Sequence, residues 1–169
     1  FKHNPKPIIQ NDDLLTVSIV VAARNEEKNI INLIHDLLNQ TYPRDKLEII
    51  IANDRSTDKT GEILEETVAN HSFIHHIHII ERSSDMTPKK YALKEAIKYA
   101  SGDIIISTDA DCRVPETWVS SMASSVQSTG GITIGFSRVS GKSFFNLYQM
   151  IDFLSITVAN AGFGGWKIH

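Results

Sequence analysis

Apolar and polar positions alternate in blocks along this chain. Thr16-Val-Ser-Ile-Val-Val-Ala22 is a β-branched run between Asn11-Asp-Asp13 and Arg24-Asn-Glu-Glu27, and it predicts a buried strand over 16–22. Ile30, Leu33, Ile34, Leu37 and Leu38 then recur at helical spacing up to the turn residues Thr41-Tyr-Pro-Arg-Asp45, with Asn25 as the candidate cap. The same order repeats three times. Strands are expected over 47–52, 73–81 and 103–107, and helices over 59–69, 89–100 and 116–126. A further strand over 132–139 and a last helix over 144–158 complete the reading.

Serial strand–helix units predict a mostly parallel sheet covered on both faces, a Rossmann-like three-layer α/β/α fold. In such a sheet ligands bind beyond the carboxyl ends of the strands. The residues at those ends are polar: Arg24, Asn25 and Glu26 after the first strand, Asn53, Asp54 and Arg55 after the second, and Asp109, Asp111 and Arg113 after the fourth.

Composition narrows the function without choosing it. Of 169 residues, 41% are hydrophobic and 22% charged, the balance of a folded globular domain rather than a disordered or fibrous chain. Seventeen Lys and Arg against 20 Asp and Glu leave a net charge of −3, and no basic patch is evident, so nucleic acid is not expected as a partner. A single cysteine, Cys112, permits neither an internal disulfide nor a zinc cluster and points to a reducing, cytoplasmic setting. The 143–166 region is apolar, but Asn146, Gln149, Asp152, Ser155 and Asn160 interrupt it, so a spanning helix is not expected there. Phe1 stands where a methionine opens a natural chain, and the sequence reads as a trimmed piece.

The strongest chemical signal is Ser107-Thr-Asp-Ala-Asp-Cys112. Residues two apart on an extended chain face the same side, so Asp109 and Asp111 can address one point. Two converging carboxylates repel, and a hard divalent cation, Mn2+ or Mg2+, relieves the repulsion while keeping positions open for phosphate oxygens. Taken singly, the pair reads equally as a strand end and a helix cap. Asp54 faces the same crevice and can accept hydrogen bonds from a base or ribose; Ser56, Thr57 and Asp58 read as capping and first-turn residues of the next helix. Lys89 and Lys90 open a helix after Thr87-Pro88, against its macrodipole, a conflict that an anionic ligand or simple solvation would resolve. His76 and His78 share a strand face opposite His75, and with no third ligand they read as structural; Cys112 reads as a small packed residue. GxGxxG, GxxxxGK[ST] and GxSxG are all absent from the sequence.

With Val17-Ser-Ile-Val-Val-Ala-Ala-Arg-Asn-Glu-Glu27, Ile51-Ala-Asn-Asp-Arg-Ser-Thr-Asp58, Lys89-Lys-Tyr-Ala-Leu93 and Ala100-Ser-Gly-Asp-Ile-Ile-Ile-Ser-Thr-Asp-Ala-Asp111 in order, the chain resembles the family 2 glycosyltransferases of GT-A fold. The resemblance implies that Ala22, Arg24, Glu26 and Asp54 line a nucleoside pocket, usually for uridine, with Lys89 near the diphosphate. It further implies that Asp109 and Asp111 form the Asp-X-Asp motif, Asp111 holding the cation on the donor. The implied activity is inverting transfer of a hexosyl or N-acetylhexosaminyl group from a UDP-sugar to a glycan or lipid-linked acceptor, at the cytoplasmic face of a membrane.

The family's later acidic general base and its Gln-x-x-Arg-Trp segment are not recognisable before His169, so no catalytic base is assigned and the piece is expected to bind donor but transfer poorly. The expected organisation is an N-terminal extension over 1–15, a donor-binding domain over 16–142, and a C-terminal amphipathic helix region over 143–169 that could mediate a homodimer or meet a membrane. Two other readings compete. A non-catalytic nucleotide-sugar-binding module needs only the donor residues. A magnesium phosphohydrolase of the haloacid-dehalogenase type shares Asp-X-Asp but carries it after its first core strand.

Overall fold

A computed structural model describes residues 14–81 and 83–135. The chain divides into two units between Ile132 and Thr133, and every element named here belongs to the first. In order these are β1 (Val17–Ala23), α1 (Ile30–Leu38), β2 (Leu47–Asn53), α2 (Thr60–Asn70), β3 (Ile74–His78), α3 (Pro88–Ile97), β4 (Ile104–Asp109) and α4 (Trp118–Thr129). The expected helix over 144–158 and the extensions at both ends lie outside the described residues, apart from 14–15. The strand expected over 132–139 is described only to residue 135, and 132–135 form no strand.

All four strands are parallel, in the order β3-β2-β1-β4. The chain steps outward from β1 to β3 and then crosses back to place β4 on the other side of β1. That reversal opens a crevice at the carboxyl ends of β1 and β4, where open α/β sheets bind ligands. In register, Ala22 stands between Ala52 of β2 and Asp109 of β4.

Strand alternation decides what each face buries. Val17, Ile19, Val21, Ile49, Ile51, Ile74, Ile104 and Ile106 pack with Ile30, Leu33 and Leu37 of α1, Leu64 of α2, and Val119 and Ala123 of α4. Val20, Ile50 and Ala52 turn the other way onto Ala92 and Ala96 of α3. The result is the expected α/β/α layering. Near-continuous burial of β1 and β2 follows from having both faces covered.

Four boundaries differ from expectation for local reasons. β3 stops at His78 rather than residue 81; the Ile79 N–H donates to the Asn53 carbonyl at 3.0 Å, and Ile80 is exposed. β4 runs on through Asp109 because Thr108 and Asp109 keep their register with Val21 and Ala22. α3 begins at Pro88, whose missing N–H suits a first helical turn, and α4 ends at Gly130, whose φ of 65° is left-handed.

The amino-terminal end of the sheet is closed by a hydrogen-bond cluster. Glu48 Oε1 accepts from Ser18 Oγ at 2.5 Å, Ser101 N at 2.6 Å, Ser101 Oγ at 2.9 Å and Gly102 N at 3.2 Å. Desolvation pushes the Glu48 carboxyl up, but these bonds outweigh it and hold the group below its ordinary value. Gly102 is required for a steric reason: a Cβ there would lie 2.7 Å from both the Ser18 amide nitrogen and Oγ, and 2.9 Å from the Val17 carbonyl carbon. The Ser-Gly-Asp part of the motif is thus structural and sits at the end of the strands opposite the crevice.

Candidate functional site

The crevice holds a cleft of about 390 Å3 lined by Ala22, Ala23, Arg24, Glu26, Asp54, Thr87, Pro88, Lys89, Asp109, Ala110 and Asp111. All seven residues singled out from the sequence line it together. Thr87, Pro88, Ala23 and Ala110 were not singled out. Their signal was position alone, beside Lys89, beside Ala22 and between the two aspartates.

Each strand delivers its residues by the same rule. Asp109 closes β4 on the side facing α3, so its Oδ1 meets Lys89 Nζ at 2.7 Å. The cation placed against the α3 macrodipole is therefore matched by a carboxylate from the neighbouring strand. Ala110 is buried beneath the turn, whose Cys112 N–H donates to the Asp109 carbonyl at 3.1 Å. Asp111 lies in that turn, exposed, and borders the same cleft as Asp109. The turn is tied to α1: Arg113 Nε and Nη2 donate to the two oxygens of Asp36 at 2.6 and 2.7 Å, and the Val114 N–H donates to Asp36 at 3.1 Å. The Arg113 hydrogen bond is the main cause that holds the Asp36 carboxyl below its ordinary value.

Asp54 follows β2, with its side chain only 4% exposed. Arg55 donates from Nε at 2.8 Å and also from Nη2, both to Asp54 Oδ1. The other oxygen, Oδ2, has Arg24 Nη1 at 3.6 Å, beyond hydrogen-bond distance, and the Arg24 side chain is 46% exposed. Glu26 borders the cleft and also starts α1: its Oε2 accepts from Asn29 Nδ2 at 2.9 Å and its carbonyl from Ile30 N at 2.8 Å.

Asn25 does not cap α1, which begins at Ile30. Its φ is 55°, and it bridges to the loop after β2 instead. The Asn25 N–H donates to Ser56 Oγ at 3.0 Å, and Asn25 Oδ1 accepts from Thr57 N at 2.8 Å. The lacing continues from Glu26 N to Thr60 Oγ1 at 2.8 Å, from Glu27 N to Asp58 Oδ2 at 3.1 Å, and from Lys59 N to Glu27 Oε2 at 3.1 Å. Burial raises the Asp58 carboxyl, but the bonds from Thr60 and Glu27 bring it below its usual value. Ser56, Thr57 and Asp58 accordingly serve less as caps than as cross-links that fix the loops carrying Arg24, Glu26 and Asp54. Asp58 alone also bonds the first turn of α2, at Thr60 N.

The histidines stay out of the site. His76 and His78 stack with ring centroids 4.0 Å apart, on the face covered by α2. Burial, with help from His78, lowers the His76 pKa to about 4, and its buried Nε2 has no hydrogen-bond partner among the described residues. Among the described residues no group of three or more His, Cys, Asp or Glu side chains could hold a metal ion. Of the four carboxylates lining the cleft, Asp54 is held by Arg55 and Glu26 by Asn29, which leaves Asp109 and Asp111 for a cation. That oxygen-only set suits a hard cation whose remaining positions are filled by water and phosphate, and it does not suit a cation caged by protein alone.

Comparison with known proteins bears on the family and the fold. Residues 18–167 match the family described as Glycosyl transferase family 2. A beta-monoglucosyldiacylglycerol synthase of Nostoc sp. is 39% identical over 99 residues, covering 58% of this chain and 20% of that protein. The mannosyltransferase PcManGT from Pyrobaculum calidifontis, solved with GDP-Man and Mn2+, superposes with a TM-score of 0.52 at 29% identity, over 60% of this chain and 29% of that one. TarS 1-349 of S. aureus, solved with UDP, has the same fold, with a TM-score of 0.58 at 22% identity over 75% of this chain and 40% of that one. The chain spans about a fifth to a quarter of the length of the curated relatives it matches.

Proposed function

The chain belongs to glycosyl transferase family 2, and on that premise we propose that its cleft is the donor site of an enzyme using a nucleotide-diphospho-sugar with a divalent cation. The observation that carries the proposal is the convergence of Ala22, Arg24, Glu26, Asp54, Lys89, Asp109 and Asp111 on one crevice at the point where the strand order reverses. The same seven positions follow three different strands and the start of one helix, so only the fold unites them.

Each residue then has work that its chemistry permits. The buried Asp54 carboxylate accepts a hydrogen bond from the base. Ala22 and Ala23 leave room for the nucleoside where the strands end. Arg24 and Lys89 supply positive charge along the cleft wall for phosphate oxygens. Asp109 and Asp111 hold Mn2+ or Mg2+ through oxygen. When bound, that cation stabilises the charge that grows on the departing nucleoside diphosphate as the sugar–phosphate bond breaks. Lys89 exchanges its Asp109 partner for the diphosphate, adding a second positive charge at the same place.

UDP-sugar is the preferred donor, by resemblance and by the carboxylate at the base position. The acceptor hydroxyl attacks with inversion, activated by a base that the cleft itself does not contain. In the whole protein the acceptor is a glycan or a lipid-linked sugar at the cytoplasmic face of a membrane. Among the described residues no helix is long and apolar enough to cross one.

Thermal shift with a panel of nucleoside diphosphates, with and without Mn2+, tests the donor site. UDP should stabilise the chain only with metal, and Asp111→Ala should abolish the shift. At 100 times the dissociation constant the stabilisation would be about 2.7 kcal/mol. Indifference to every nucleotide in the panel contradicts the proposal.

A further inference from the structure

We propose that Arg55, which does not line the cleft, is a positioning residue that sets the base selectivity of the pocket by holding Asp54 Oδ1 and offering only Oδ2 to the base. The inference rests on the donor-site reading above and concerns a residue that reading does not use.

Three observations point to it. First, both Arg55 bonds go to one oxygen, from Nε at 2.8 Å and from Nη2, rather than one to each oxygen of the carboxylate. A fork spread across both oxygens would leave Asp54 no free acceptor; this arrangement fixes the side chain and leaves Oδ2 without a hydrogen bond among the described residues. Second, Arg55 holds this position at a cost. Its φ is 53°, a left-handed conformation that disfavours any residue with a side chain. Third, its Nη1 is buried with no hydrogen-bond partner among the described residues, a further penalty. Glycine would relieve the strain and leave no orphan donor. Strain kept at a cleft by an over-determined side chain is a sign of a functional constraint.

The consequence is chemical. A carboxylate oxygen only accepts hydrogen bonds. Oδ2 therefore fits a base that presents a ring N–H, the imide of uracil or the lactam of guanine. Cytosine and adenine turn an unprotonated ring nitrogen to the same place, where two lone pairs would meet. A hydrogen bond of this kind discriminates by on the order of 10–100-fold. Without Arg55 the Asp54 side chain can rotate, and a carboxylate that is free to turn no longer presents one fixed acceptor oxygen to the base.

The experiment is isothermal titration of the whole chain with UDP and CDP, and of wild type also with GDP and ADP, all in Mn2+, comparing wild type, Arg55→Gly and Arg55→Lys, with melting temperatures measured alongside. Wild type should prefer UDP by at least about 10-fold. Arg55→Gly, whose backbone suits the left-handed position, should stay folded yet lose most of that preference, UDP weakening while CDP does not. Arg55→Lys should recover part of it. If Arg55→Gly weakens UDP and CDP by the same factor, or leaves both unchanged, Arg55 has no role in selectivity and the inference is overturned alone. A wild-type chain that binds neither UDP, CDP, GDP nor ADP overturns the donor-site reading, and the inference with it.

Discussion

Gly102→Ala should destabilise the protein severely although the residue is far from the cleft. The added methyl carbon would sit 2.7 Å from the Ser18 amide nitrogen and Oγ and 2.9 Å from the Val17 carbonyl carbon, closer than a Cβ approaches other atoms in folded proteins. Neither neighbour can yield, because Val17 and Ser18 begin the central strand β1 and are 1% and 0% exposed. Overpacking of this kind costs about 1–3 kcal/mol. Displacing the Gly102 N–H from Ser18 Oγ and Glu48 Oε1, at 2.8 and 3.2 Å, removes about 1 kcal/mol more for each bond lost. Replacing glycine also stiffens the unfolded chain, which favours folding by about 0.4–1 kcal/mol. The clash exceeds that gain, so the net loss is about 2–3 kcal/mol. Urea denaturation followed by circular dichroism should show the midpoint falling by roughly 1–2 M, given a slope of about 1–3 kcal/mol/M. Gly61→Ala is the matched control. Its Cβ would meet only the Asn53 side-chain amide, at 3.2 Å, and α2 gains helix propensity, so its stability should hold within about 0.5 kcal/mol of wild type. A Gly102→Ala chain as stable as the control would refute the steric reasoning.

Other expectations follow from the same contacts. Stability should fall in two stages on acidification. From about pH 6.5 to 4 the unfolded chain takes up a proton at His76 that the folded chain refuses, so folding is progressively disfavoured. His76→Leu should flatten that stage of a pH series of melting temperatures. Below it, Asp36 and Glu48, whose folded values lie under their ordinary ones, lose their contribution as pH drops through those lowered values. Glu48→Gln should shrink the second stage and leave the first unchanged. Asp36→Ala removes two charge-assisted bonds from Arg113 and one from Val114; it should cost about 1–3 kcal/mol and weaken metal-dependent UDP binding several-fold, measured by calorimetry, by freeing the turn that carries Asp111. An unchanged affinity in that variant would mean the turn keeps its shape without the tie.

Local pattern carried much of the fold. The β-branched runs of β1 and β2 and the helical spacing of Ile30, Leu33, Ile34 and Leu37 marked elements that the sheet and its cover then used. Asp109 and Asp111 could be quoted as a pair, but strand alternation ends at Asp109, and it is the turn after β4 that brings Asp111 to the cleft. What escaped was everything decided at long range. Asn25 is a plausible cap by local chemistry, but its partners Ser56 and Thr57 lie 31 and 32 positions away, and cross-links between parallel strand ends have no local signature. Gly102 could be quoted as part of a motif, yet its reason is a contact with Ser18, 84 positions earlier. The Lys89 placement looked like a conflict because only the helix was legible. Its resolution by Asp109 needed the topology that sets β4 beside β1 and in front of α3.

The central claim is one of location: the donor binds at the carboxyl ends of β1, β2 and β4. The direct measurement is a 15N–1H correlation spectrum of the chain titrated with UDP in Mg2+. The account predicts that the amides of Ala22 to Glu26, Asp54, Lys89 and Asp109 to Asp111 shift, while those of Glu48, Ser101 and Gly102 at the opposite end of the sheet remain still. Shifts centred on any other surface, or none at millimolar UDP with metal present, would contradict it.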